Sequence, residues 1–69
     1  MLNIEKKRGG KFSVRVGWEP VNLDVFINDT MGITRERFRI TKNKNFETVT
    51  FTTIEDATRF ALVADRCRI

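Results

Sequence analysis

Three arginines stand at two-residue steps in Arg35-Glu36-Arg37-Phe38-Arg39. On a β-strand that spacing puts all three on one side, roughly 6.6–7 Å apart. The repeat is close to that of successive phosphates in an extended single strand, and guanidinium groups pair phosphate oxygens bidentately. Arg15 belongs to the same pattern if its own strand lies in the same sheet, and Lys42 and Lys44 extend the basic run beyond Arg39. Phe26 and Phe46 fall on the polar side of their segments, and aromatic faces stack bases. Arg15, Phe26, Arg35, Arg37, Arg39, Phe46, Lys42 and Lys44 therefore form the candidate binding set, for nucleic acid or for an acidic protein surface. The competing reading is a solvated sheet face, for which arginine and threonine are ordinary residues.

Other chemistries find little support. There is no histidine and a single cysteine, Cys67. That removes Cys/His zinc sites, histidine bases, Ser-His or Cys-His nucleophile pairs and any internal disulfide. Cys67 falls on the apolar side of a helical pattern and reads as a small buried hydrophobe; Arg66 and Arg68 offer the electropositive setting that a reactive thiol would need. Glu55 and Asp56 are adjacent acids, but a first-turn position at the positive end of a helix accounts for them without acid–base catalysis. Arg8-Gly9-Gly10-Lys11 lacks the spacing of a phosphate loop, and Asn28–Gly32 lacks the ligand spacing of a calcium loop. The expectation is a non-enzymatic protein without metal or cofactor.

The basic character is concentrated. The formal net charge is +4. Residues 1–11 carry four basic side chains and one acid, residues 35–44 five basic and one acid, and the rest is net acidic. Such patches attract phosphate or acidic partners. No apolar run approaches the roughly 20 residues of a membrane span, and the opening residues lack the apolar stretch of a signal peptide. A cytoplasmic setting is expected.

Positioning these residues requires a sheet and one helix. Leu2 and Ile4 alternate with polar neighbours before Gly9-Gly10, so residues 1–11 are a first strand with a hairpin turn, or a basic arm. Phe12, Val14 and Val16 alternate as a half-buried strand. Pro20 forces a loop, beside which Trp18 is either a lid on the core or an exposed recognition aromatic. Leu23, Val25 and Ile27 read as a further strand, with Asp24 and Phe26 on its other face. Ile33–Ile40 and Phe46–Phe51 complete the set, with Phe38, Ile40, Val49 and Phe51 inward and Thr48 and Thr50 outward. Thr52 with Glu55 makes a capping box for a helix over 52–68. Ile54, Ala57, Phe60, Ala61, Ala64 and Cys67 form its apolar side. The whole reads as one α+β domain: an antiparallel four- to five-stranded β-meander over 12–51, with or without the first strand, and one C-terminal α-helix packed on one face. Such a sheet has two edges, and a homodimer through an edge strand or the open face is expected.

The closing pattern Phe51-x-Thr53-x-Glu55-Asp56-Ala57-x-x-Phe60-Ala61-Leu62 resembles the strand-to-helix ending of small tailed-bacteriophage accessory proteins. The resemblance implies a small binding protein acting in a host cytoplasm. Its alternative function would be that of a regulator or inhibitor bound to a host protein, such as an enzyme or a transcription or defence factor.

Overall fold

Alternating apolar residues fold into strands where a turn lets the chain reverse, and Gly9-Gly10 supplies the first reversal. Both glycines have φ near +70°, which a side chain would oppose. The turn brings β1 (Ile4–Lys7) antiparallel to β2 (Lys11–Val16), pairing Lys7 with Lys11 and Ile4 with Val14. Residues 4–7 of the basic N-terminal segment are thus a strand. The computed structural model describes residues 3–17 and 22–67. Leu2, Trp18, Arg68 and the thiol of Cys67 lie outside the described residues.

β3 (Phe38–Lys42) and β4 (Glu47–Phe51) form a second hairpin, closed where Asn43 N–H donates to the Phe46 carbonyl at 2.8 Å. The two hairpins join through β2 and β4, giving a four-stranded antiparallel sheet in the order β1-β2-β4-β3. This order corrects the meander: β4 returns between β2 and β3, so consecutive strands are not always neighbours. Val14, Val49 and Ile40 line up across the three central and edge strands, as do Phe12, Phe51 and Phe38.

Helical structure covers the apolar face. In α2 (Ile54–Cys67) Ala57, Phe60, Ala61 and Ala64 are fully buried, and the small alanines let the helix lie close to the sheet. Phe60 meets Phe51 with ring centroids 5.4 Å apart and tilted, a favoured aromatic geometry. Ile54, expected on this apolar side, is 43% exposed, because it sits on the flank of the buried stripe. The cap also shifts by one residue. Thr53, not Thr52, accepts the Asp56 N–H through its hydroxyl at 3.2 Å.

The segment expected as a strand at Leu23–Ile27 is helical. Asn22 Oδ1 accepts from the N–H groups of Asp24 and Val25, at 3.0 and 3.4 Å, and starts α1 (Leu23–Val25). The chain continues in a wider π-type turn over Phe26–Thr30, where Met31 N–H reaches back to the Phe26 carbonyl. Leu23, Ile27 and Met31 are buried at four-residue steps, while Val25, inward in a strand, is 45% exposed. Arg59 Nη2 donates to the Met31 carbonyl at 3.1 Å and ties α2 to this segment.

Candidate functional site

The face of the sheet away from the helices is set by register. Glu5, Lys7, Lys11, Ser13, Arg15, Arg39, Thr41, Thr48 and Thr50 share it, since their neighbours Ile4, Val14, Val16, Ile40, Val49 and Phe51 face the core. Lys7, Lys11, Arg15 and Arg39 are all exposed, against one acid, Glu5. The Lys7 ammonium stands 3.1 Å from Glu5 Oε1. That hydrogen bond, with the charges of Lys7 and Arg15 behind it, holds the Glu5 carboxyl below its ordinary value. Threonine hydroxyls of Thr41, Thr48 and Thr50 fill the rows between the cations and offer rotatable donors, while Ser13 between Glu5 and Thr50 is buried.

Phe46 precedes β4 on the same side, and the Arg15 guanidinium lies 4.3 Å above its ring centre. That cation–π contact preorganises the arginine and leaves its edge N–H groups free to bind in the plane. Arg39 is two strands away from Arg15 and one pleat repeat along, which puts the two roughly 12 Å apart at the backbone. Among the described residues Arg39 has no ion-pair partner.

The other arginines of the expected stripe are elsewhere. Residues 35–37 form a 3-10 turn before β3 rather than its first half, with Arg37 N–H bonded to the Thr34 carbonyl at 2.9 Å. Arg35 Nε donates to Asp24 Oδ1 at 3.0 Å. Arg37 Nη2 approaches Asp56 Oδ2 at 2.7 Å. The contact is an ion pair out of line for a hydrogen bond, and that carboxylate oxygen, buried at the start of α2, has no hydrogen-bond partner among the described residues. The stripe fails because the chain turns here, taking Arg35 to Asp24 and Arg37 to Asp56.

Phe26 is also displaced: on the helical segment it is half-buried and packs against the core. Asp24 leaves the face with it. Lys42 faces Glu47 in register with Val16, on the helix side of the sheet, and Lys44 lies in the β3–β4 turn. Both line a shallow hollow with Gly17, Asn43, Asn45, Phe46 and the acid Glu47 at one end of the sheet. At the opposite end Arg35 joins Lys11, Arg39, Thr50 and Thr52 around a second open groove that Glu36 and Phe38 also line.

Of the expected residues, Arg15, Arg39 and Phe46 share the open face, and Arg35, Lys42 and Lys44 rim its two ends. Lys7 and Lys11 were missed as members. The Gly-Gly turn was the signal for them, because a tight hairpin there sets Lys7 directly across from Lys11. Among the described residues no cluster of acids, cysteines or histidines could hold a metal, and no helix is long and apolar enough to cross a membrane. Comparison with protein families, with curated proteins and with solved structures finds no match.

Proposed function

We propose that the protein is a non-enzymatic nucleic-acid-binding module whose open sheet face grips the phosphate backbone. The observation that carries this reading is the exposed set Lys7, Lys11, Arg15 and Arg39 on one face with a single, Lys7-bound acid. Cations spread over a flat surface, with hydroxyls between them, suit a chain of phosphates better than a compact anion. One aromatic on that face, already under a guanidinium, leaves little for base stacking, so sequence preference is weak.

The test is fluorescence anisotropy against short single-stranded and duplex probes at two salt concentrations. Binding should fall steeply with salt. Arg39→Ala should weaken it about equally for all sequences and flatten the salt slope by roughly one ion, as for a lost phosphate contact. No salt-sensitive binding to any probe at low salt would sink the reading. The regulatory alternative, docking of an acidic host protein on the same cationic face, would then be the reading to test.

A further inference from the structure

The free edge of β3 carries a backbone pattern that a second copy of the same strand completes. Thr52 N–H donates to the Arg37 carbonyl at 3.1 Å, and Asn43 N–H to that of Phe46 at 2.8 Å. Bonded and non-bonded pairs alternate along an antiparallel ladder. With Arg39 facing Thr50 and Thr41 facing Thr48, the odd-numbered residues of β3 are therefore the ones that bond to β4. The N–H and C=O groups of Phe38, Ile40 and Lys42 point away from the sheet. Among the described residues none of them has a partner.

We propose that a second copy of the chain pairs with this edge, antiparallel, about a two-fold axis perpendicular to the sheet at Ile40. Ile40 then faces Ile40 of the second copy, and Phe38 faces Lys42 in both directions. Every outward-pointing backbone group meets another, and the whole of β3 is used. The perpendicular axis keeps inward residues inward, so both helical layers lie on one side and the two open faces merge.

Charge selects this register. Arg39 stands opposite Thr41 of the second copy, with no like charges directly across from each other. Moving the axis to Arg39 would oppose two arginines, and moving it to Thr41 would shorten the overlap. The other edge is worse suited: a two-fold at the middle of β1 sets Glu5 against Glu5 or Lys6 against Lys6. Three of the four β1 residues are charged and protect it, as edge strands commonly are protected, whereas β3 carries Phe38, Ile40 and Thr41 with charges only at Arg39 and at its end, Lys42. The pairing stands on the hydrogen-bond pattern and does not depend on nucleic-acid binding. In the pair the two Arg39 side chains become diagonal neighbours, roughly 7–8 Å apart.

Sedimentation equilibrium of the full chain, with concentration-dependent amide exchange, tests the pairing. Self-association is expected in the high-micromolar range, with exchange at Phe38, Ile40 and Lys42 slowing as concentration rises and the β1 amides unchanged. Thr41 is exposed, so its variants keep the fold. Thr41→Glu, facing Arg39 twice, should tighten the dimer, and Thr41→Arg should loosen it, each by roughly twofold to thirtyfold. The proposal is overturned if wild type and Thr41→Glu both remain monomeric, if the two substitutions act in the same direction, or if protection appears on β1 instead.

Discussion

Arg35, Arg37 and Arg39 look equivalent as letters, yet each meets a different environment. Arg35 is held by exposed Asp24, Arg37 by buried Asp56, and Arg39 by nothing among the described residues. Their substitutions should therefore separate. Removing Arg37 leaves a carboxylate without its counter-charge in a place that water barely reaches, so Arg37→Ala should lower stability by about 1–3 kcal/mol. The lower end allows for the partial exposure of Arg37, whose side chain is 47% accessible. A thermal melt checks it, and Asp56→Leu in the same background should return part of the loss, because the stranded charge is gone. If the open face binds nucleic acid as proposed, the affinity of Arg37→Ala at a temperature where it is folded should stay close to wild type, unlike that of Arg39→Ala. None of this was legible in the spacing, which fixes which side a strand residue faces but not whether the residue is in a strand. The signal was Asp56, a first-turn acid beside the apolar helix face, which once buried there needs a cation from somewhere.

Elements were legible where one period excluded the other. Phe12-Val14-Val16 and Val49-Phe51 fit only alternation, and Ala57-Phe60-Ala61-Ala64 fits only a helix; all are buried as expected except Phe12, which is half-buried against the core. Leu23-Val25-Ile27 was ambiguous, since positions four apart share a face in both a strand and a helix. Asn22 decides it, because its side chain satisfies two N–H groups that only a helical turn leaves open. The same logic governs the start of α2. Two adjacent threonines compete to cap it, and only Thr53 has its hydroxyl on a first-turn N–H. Thr53→Ala should cost about 1 kcal/mol, while Thr52→Ala should stay within about 0.5 kcal/mol. Chemical denaturation of the two variants distinguishes them; equal losses would mean that both hydroxyls contribute to the cap.

At the scale of the molecule, the α+β class and the helical cover over one face were readable, and the strand order was not. Local turns announce hairpins, but nothing in a strand's residues says which distant strand it will lie beside. Here two hairpins, β1–β2 and β3–β4, each closed by a short turn, meet only along β2 and β4. That seam has a consequence for how fast the protein assembles. Each hairpin needs little chain closure and can form early, whereas pairing Val16 with Glu47 requires the whole intervening segment to be looped before any contact rewards it. Docking of the two halves is thus the expected rate-limiting step, with α1 settling afterwards onto a sheet already joined. In stopped-flow experiments Val14→Ala, at the seam, should chiefly slow refolding, while Leu23→Ala, under α1, should chiefly speed unfolding. If both act on the same limb, the barrier lies elsewhere. If they separate, the protein spends its brief unfolded lifetime as two preformed hairpins searching for one another.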